Sequence, residues 1–351
     1  MTVALDATYS VGDELSGVGV YSRELMGGLA RAHPEARFLY CYRLHRFLRS
    51  WRESLPGNSR RALLTEGLAL PYPSWRRAAV FHGLNQRLPA VRRQRTVVTF
   101  HDLFVLSGEY STAEFRARFV AQAREAAARA DMILTVSAFT KSQVTGLLGV
   151  EPEKVRVVHH GIRQLPPAQG LKGAPRERVI LHVGAIQKRK NLTRLVQAFE
   201  ALDPSWRLVL AGSNGYGSEE ILARIASSTA RDRVLVTGYI RAAELARWYK
   251  SASIFAFPSL DEGFGMPVLE AMAAGLPVLT SNRSALPEVA GDAAMLVNPE
   301  DTDALEEALR ELTNNEELRS RLATHGTARA QVFSWEKTVR ETWNAYQNLL
   351  V

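Results

Sequence analysis

The stretch from Phe257 to Gly275 restricts the fold of this chain more than any other. An apolar run that ends at Phe257 predicts a buried strand, and a loop rich in glycine and proline follows it. Residues 268–272 then show apolar side chains at helical spacing, after Pro267 in a position that suits the start of a helix. A strand, a glycine-bearing loop and a helix N-terminus in this order form an anion site, because unpaired backbone N–H groups and the helix dipole point at one spot.

Two acidic residues flank this predicted anion site. Glu262 lies in the loop, and Glu270 lies eight residues later in the helix. Carboxylates accept hydrogen bonds from sugar hydroxyls, so this pair indicates a ligand that carries both phosphate and hydroxyl groups, such as a nucleotide-activated sugar. The backbone N–H groups that the loop and the helix start can offer are those of Phe264, Gly265, Met266 and Val268.

Strands and helices alternate along the whole chain, which predicts an α/β protein with parallel sheets covered by helices on both faces. A length of 351 residues exceeds one ordinary core and predicts two domains. In the first half, strands are predicted at Val3–Ala7, Arg37–Tyr42, Ala79–His82, Thr96–Phe100, Met132–Val136 and Val155–Val158. In the second half, they are predicted at Val179–Val183, Leu208–Leu210, Val234–Val236, Ala252–Phe257 and Val278–Thr280.

Helices and the domain boundary are predicted from periodicity, caps and composition. A long helix should run from Phe115 to Asp131, with Phe115, Phe119 and Ala123 on its apolar face, and Ser334 should cap a terminal amphipathic helix. The proline- and glycine-rich segment 164–177 is predicted to be a linker. The predicted domains are therefore residues 1–165 and 175–333, with a terminal helix at 334–351.

The first half of the chain is strongly basic. Residues 1–165 contain 23 Lys and Arg against 14 Asp and Glu, and 12 arginines fall between Arg43 and Arg95. Trp51 and Trp75 stand among them, and this mixture suits an anionic membrane surface or a lipid-diphosphate acceptor. A solvated arginine-rich face without a partner is the alternative, and no nucleic-acid motif accompanies the charge.

The chain also carries signals about its compartment. The single cysteine, Cys41, lies in an apolar run and is predicted to be a core residue. Neither a leader pattern nor an apolar stretch of about 18 residues is found. The predicted location is cytoplasmic, with peripheral contact to the inner face of a membrane as an option.

The sequence resembles the retaining GT-B glycosyltransferases of the family-four, or group 1, type. The block F-P-S-L-D-E-G-F-G-M-P-V-L-E-A-M-A-A-G contains their Glu-x(7)-Glu motif, at Glu262 and Glu270. Gly184 to Leu192 is similar to their phosphate-binding "RKN" segment, although Ala185 stands where many relatives have arginine. A small residue there is frequent among bacterial polysaccharide mannosyltransferases. The resemblance implies two Rossmann-like domains facing a central cleft.

The resemblance also implies roles for particular residues. Glu262 and His101 would hold the donor sugar, Glu270 the ribose, and Lys190 the diphosphate with help from Arg189. The loop amides named above would meet the sugar and diphosphate. Gly17 and Gly19 would approach the donor from the first domain, unless they form only a flexible turn. Tyr239 and Ile240, after Gly238, would contact the nucleobase or belong to the core.

The predicted reaction is transfer of a hexose from a nucleoside diphosphate sugar to a glycan or lipid-linked acceptor, in cell-surface polysaccharide or glycolipid synthesis. GDP-mannose is the first candidate donor, and UDP-glucose or UDP-GlcNAc are alternatives. A non-catalytic basic binding protein on the same fold is a further alternative. Neither a cofactor nor a metal is expected, because Asp301-Thr302-Asp303 suits the start of a helix better than a metal site.

Overall fold

A computed structural model describes residues 1–12, 14–65, 74–89, 94–163, 165–167 and 175–351. These residues form two compact units. Unit 1 contains Met1–Ser107, Thr112–Gly161 and Ser334–Val351, and unit 2 contains Gly108–Ser111 and Ile162–Phe333. The predicted linker 164–177 lies largely outside the described residues.

The strands of unit 1 are β1 Thr2–Asp6, β2 Arg37–Tyr42, β3 Ser59–Leu63, β4 Val80–Gly83, β5 Arg95–Phe100, β6 Met132–Thr135 and β7 Val155–Val157. Those of unit 2 are β8 Val179–Val183, β9 Arg207–Ala211, β10 Val234–Gly238, β11 Ile254–Phe257, β12 Val278–Ser281 and β13 Met295–Val297. Every predicted strand is therefore present, and among the described residues the two strands β3 and β13 were not predicted.

The helices of unit 1 are α1 Gly17–Ala32, α2 Leu44–Ser50, α3 Phe104–Ser107, α4 Ala113–Arg129, α5 Ala138–Leu148 and the terminal α13 Trp335–Leu350. Those of unit 2 are α6 Leu192–Glu200, α7 Ser218–Ala226, α8 Ala242–Ser251, α9 Met266–Ala273, α10 Leu286–Ala290, α11 Thr302–Asn314 and α12 Glu316–Ala330. The predicted caps are confirmed where Ser334 accepts from the Lys337 amide and Asp301 accepts from the Ala304 amide.

Both sheets have the same parallel topology. The strand order is β3-β2-β1-β4-β5-β6-β7 in unit 1 and β10-β9-β8-β11-β12-β13 in unit 2. In each sheet the first strand of the unit lies between the second and the fourth, as in the dinucleotide-binding fold. The order reverses between β1 and β4 and between β8 and β11. Ligands of such sheets bind at the carboxyl ends of the strands at this reversal.

Helices cover both sheets, and the apolar faces pack where periodicity places them. Tyr21, Leu25 and Leu29 of α1 are buried, and so is Cys41 on β2, as predicted. The burial predicted for two residues is wrong. Phe115 is 45% exposed, because the buried face of α4 begins one turn later at Phe119. Trp75 is fully buried beside Phe81 and is a core residue, so it is not available to an interface.

Candidate active site

Two loops of unit 2 meet at the reversal of its strand order. β8 is followed by the segment 184–191, and β11 is followed by the segment 258–265. The two strands are paired in parallel register, with Ile254 opposite Ile180 and Phe255 opposite Leu181. Because the carboxyl ends of neighbouring parallel strands lie at one edge of a sheet, both loops approach the same place.

Three charged side chains from these loops form a buried cluster. The carboxylate of Glu262 accepts a hydrogen bond from Lys190 Nζ, and its Oε2 lies 2.7 Å from a guanidinium nitrogen of Arg189. Arg189 also donates to the carbonyl of Asp261. All three charged residues are less than one-tenth exposed. The structure thus brings together Glu262, Lys190 and Arg189, three of the residues predicted from the sequence.

The charges of this cluster determine its chemistry. Burial alone would raise the pKa of Glu262, but the adjacent Arg189 and Lys190 lower it to about 2. At neutral pH the cluster therefore holds two cations and one anion. Lys190 Nζ also lies 4.6 Å from the ring centre of Phe257, a cation–π contact. Two buried cations at the end of a parallel strand suit a phosphate ligand.

A buried histidine, His182, lies beneath this cluster and was missed in the sequence. Its Nδ1 donates to the carbonyl of Ala256 at 3.0 Å, and burial lowers its pKa to about 3, so the ring is neutral. A Cβ at Gly184 would lie 3.3 Å from His182 Nε2 and equally close to Lys190 Cε. The sequence signal was one polar residue inside the apolar strand Val179–Val183.

Asn191 joins the two loops and was also missed. Its backbone is left-handed, with φ 59°. Its side-chain amide donates to the carbonyl of Pro258 at 3.1 Å and to that of Pro299 at 2.6 Å. Asparagine adopts this backbone conformation more readily than most residues and supplies both donors, so one residue fixes the end of the cationic loop against the loop after β11.

We expect Asn191→Ala to lower the free energy of unfolding by about 2–4 kcal/mol, because two buried carbonyls lose their donor and alanine must adopt a left-handed backbone. Asn191→Gly is the matched control, since glycine relieves the backbone term and leaves the carbonyls unpaired. Urea denaturation should place the glycine variant between wild type and Asn191→Ala. Equal stability of all three proteins would contradict the role given to Asn191.

Glu270 lies in the second turn of α9 and is buried. Tyr249, which sequence reasoning did not identify, donates its hydroxyl to Glu270 Oε2 at 3.0 Å. Burial raises the pKa of Glu270 to about 7, although Arg163 and the Tyr249 hydroxyl oppose the shift. The two carboxylates of the motif therefore differ in character, since the pKa of Glu262 is lowered by its cations and the pKa of Glu270 is raised by burial.

The N-terminus of α9 offers fewer amides than the sequence predicted. Gly265 precedes the helix with φ 111°, a conformation that other residues rarely adopt, and Met266 is the first helical residue. The Val268 amide donates to the Gly265 carbonyl at 3.0 Å, so the prediction that Val268 offers its N–H group is wrong. Within the described part of the chain, the amides of Gly265 and Met266 have no acceptor, and Phe264 packs its ring edge-to-face on Phe333.

The last site residues predicted in unit 2 lie at the end of β10 and directly after it. Gly238 ends this strand, and Tyr239 is 42% exposed, which contradicts the alternative that it belongs to the core. Ile240 is half-buried. The chain therefore presents an aromatic ring at the carboxyl end of a parallel strand, where a base could stack on it.

His101 in unit 1 belongs to a buried histidine cluster. Its Nε2 donates to the carbonyl of Leu84 at 2.8 Å, and its Nδ1 lies 3.4 Å from Nε2 of His160. The ring packs edge-on against Tyr21, and burial lowers its pKa to about 4. His101 is thus neutral at pH 7, and an imidazole hydrogen bond to a sugar would require it to leave one of these partners.

The two glycines predicted to approach the donor lie in the first turn of α1. Gly17 is exposed, and the Gly19 amide donates to the capping side chain of Ser16 at 3.3 Å. Asp13, a few residues before this helix, lies outside the described residues. The amide of Gly19 therefore serves the helix cap in this structure.

The described residues contain no group of three or more His, Cys, Asp or Glu side chains arranged to hold a metal ion. None of their helices is both long enough and apolar enough to cross a bilayer.

Comparison with known proteins shows the class to which this two-unit α/β chain belongs. The family profile "Glycosyl transferases group 1" matches residues 169–329, and "Glycosyltransferase Family 4" matches residues 15–163. The chain is 30% identical to O-antigen chain mannosyltransferase B of Escherichia coli, over 98% of this chain and 99% of that protein. The chain therefore belongs to the family-four glycosyltransferases of the group 1 type.

Solved structures extend the similarity at the level of the fold. Sucrose-phosphate synthase from Thermosynechococcus elongatus has a TM-score of 0.77 and 22% identity, over 99% of this chain and 98% of that chain. HepE of Anabaena, in complex with UDP and glucose, has a TM-score of 0.73 and 16% identity, over 99% of both chains. The predicted GT-B fold, with two Rossmann-like units, is confirmed.

Proposed function

We propose that this glycosyltransferase moves a mannosyl residue from GDP-mannose to a hydroxyl of a glycan or lipid-linked glycan, with retention at the anomeric carbon. The observation that carries the proposal is the buried cluster of Glu262, Lys190 and Arg189 at the reversal of the unit 2 sheet. The name of the Escherichia coli relative supports mannose. The nucleotide and sugar bound to HepE make a UDP-sugar the second candidate.

In the proposed reaction, the bond between the sugar C1 and the diphosphate oxygen breaks while the acceptor oxygen bonds to C1. The acceptor proton passes to the departing phosphate oxygen, so no protein nucleophile is required. Lys190 and the amides of Gly265 and Met266 would stabilise the charge that develops on the diphosphate, with Arg189 as a second cation. Protein groups would balance the negative charge of the diphosphate, and the proposal includes no metal.

The two carboxylates of the motif would accept hydrogen bonds from hydroxyl groups of the donor. Glu262 would accept from the sugar, and Glu270 from the ribose, because ionised carboxylates are acceptors only. Tyr239 would stack on the base. His101, the contact predicted from unit 1, would orient the donor sugar.

We expect GDP-mannose and GDP to stabilise the protein against heat selectively among nucleoside diphosphates and their sugars. Ligand at roughly 100 times its Kd should add about 2.7 kcal/mol to the free energy of unfolding. A thermal-shift panel of GDP-, UDP- and ADP-sugars measures this choice directly. Selective stabilisation by UDP-glucose or UDP-GlcNAc would identify that sugar nucleotide as the donor instead of GDP-mannose. A protein that no nucleotide stabilises would contradict the proposed site.

Turnover must then be tested separately from binding. Incubation with the stabilising donor and an oligomannoside acceptor, followed by mass spectrometry, should show addition of one hexose, and NMR of the product should show an α linkage. Binding without transfer to any acceptor would favour a non-catalytic protein. Transfer with a β linkage would contradict retention.

A further inference from the structure

Helix α2 turns a continuous apolar stripe toward solvent. Leu44 is 72% exposed, Leu48 is 77% exposed, and Trp51, the residue directly after the helix, is 64% exposed. Spacings of four and three residues place these side chains on one face of a helix. Scattered apolar residues are normal on a protein surface, but three large ones in one row mark an interaction site.

The helix is fixed to the body of unit 1 on its other side. Ser50 is fully buried, and its carbonyl accepts hydrogen bonds from the Arg61 guanidinium at 2.9 and 3.1 Å. Arg46 reaches from the helix to the carbonyl of Val11 at 3.3 Å. Arg61 also lies over the ring of Trp51, with its guanidinium carbon 4.8 Å from the ring centre. These contacts set the rotation of α2, so the apolar stripe faces outward because the protein holds it there.

The surface around this stripe is basic. Residues 43–65 contain six arginines and one acidic residue, Glu53, which forms an ion pair with Arg23 at 3.2 Å. Arg49, Arg52 and Arg60 are exposed. An apolar row beside cations is the pattern of a helix that lies in the interface of an anionic membrane, with large apolar side chains among the acyl chains and arginines at the phosphates.

We propose that α2 docks unit 1 onto an anionic lipid bilayer, with Leu44, Leu48 and Trp51 inserted and the exposed arginines paired with lipid phosphates. This inference goes beyond the proposed reaction and does not depend on it. The charge selects the partner, because a second copy would bring two basic faces together, whereas a bilayer supplies negative charge over the whole footprint. The sequence predicted membrane contact for the basic region 43–95 as a whole. The proposal assigns that contact to α2 and the arginines that flank it.

Vesicle co-sedimentation of the full chain tests the proposal. Wild type should sediment with phosphatidylcholine vesicles that contain about one third phosphatidylglycerol, and much less with phosphatidylcholine alone or at high salt. The variant Leu44→Ser/Leu48→Ser/Trp51→Ser should partition at least about tenfold more weakly. The variant Arg49→Gln/Arg52→Gln should weaken binding to the anionic vesicles only.

A matched control replaces three other exposed leucines, Leu147, Leu235 and Leu296, by serine. It should bind vesicles like wild type, and circular dichroism should show that every variant keeps the wild-type fold at the assay temperature. Equal vesicle binding by the α2 variant and wild type would overturn the proposal. A dimer that the α2 substitutions dissociate, without vesicle binding by wild type, would assign the stripe to a second copy instead. Single-stranded DNA binding that the α2 serine variant retains, without vesicle binding, would assign the charge to a polyanion and would equally overturn it.

Discussion

Glu262→Gln is expected to abolish sugar transfer and at the same time to tighten the binding of free GDP. Glutamine keeps the shape of the side chain but removes its charge, so Lys190 and Arg189 lose the carboxylate they share. These two buried cations would then be available to the diphosphate. Transfer should fall by about 10²–10³-fold, because the group that we propose to accept from the donor sugar is lost. Calorimetric titration with GDP and turnover at saturating donor measure the two effects.

The same substitution should lower stability in the absence of nucleotide. Removing one partner from a buried ion pair leaves an uncompensated charge and costs about 3–5 kcal/mol. The pKa of Glu262, lowered from its ordinary value to about 2, sets the pH window. Its contribution to stability is present above the ordinary pKa of a glutamate and is lost as pH falls through about 2.

Glu200 provides a matched control in the same unit. It forms an ion pair with Arg224 at 2.6 Å, which holds its pKa at about 2, but it lies on α6 away from both loops. Glu200→Gln should leave GDP affinity and turnover unchanged. If Glu262→Gln bound GDP more weakly than wild type, the carboxylate would not compete with the diphosphate. If it kept more than about a tenth of the wild-type turnover, Glu262 would serve only to hold the two cations in place.

The elements of the site could be predicted from the sequence, but their pairing could not. Strand ends, a basic run and a glycine loop are local signals, and they led to Lys190 and Glu262 directly. The ion pair between those residues joins positions 72 apart in the sequence. It depends on β8 lying beside β11, and the order of strands in a sheet is not written in any one segment. His182 and Tyr249 were missed for the same reason, since each acquires its role only through packing.

The errors at the surface have a different origin. β3 has the sequence S-R-R-A-L at the edge of its sheet, and such a polar strand lacks the continuous apolar run of a central parallel strand. α2 turns its apolar face outward, so its periodicity carries no information about the core. Trp75 was assigned to the basic surface by its neighbours in sequence, whereas a 3₁₀ turn directs its ring into the core. Composition alone cannot distinguish a tryptophan on a basic surface from one in the core.

Glu270→Gln is expected to have opposite effects on stability and on donor binding. Burial raises the pKa of Glu270 from about 4.5 to about 7, so the folded state holds its proton more tightly than the unfolded state does. The stability that this residue contributes is complete below its unfolded pKa and is lost as pH rises through about 7. At pH 8 the ionised side chain therefore costs up to about 3 kcal/mol, which glutamine would restore. Urea denaturation at pH 4 and pH 8 should show a difference only at the higher pH.

Donor binding should be weaker in Glu270→Gln than in wild type. A neutral amide is a weaker acceptor for ribose hydroxyls than a carboxylate, so KM for the donor should rise by about tenfold or more in Glu270→Gln. In wild type, KM should rise as pH falls below about 7, because protonation removes the acceptor, and this dependence should disappear in the variant. Tyr249→Phe removes the hydroxyl that lowers the pKa of Glu270, so it should move the wild-type profile to higher pH while leaving turnover at saturating donor nearly unchanged. A KM that is independent of pH in wild type would show that the carboxylate does not contact the donor, and Glu270 would then be a buried acid that accepts a hydrogen bond from Tyr249.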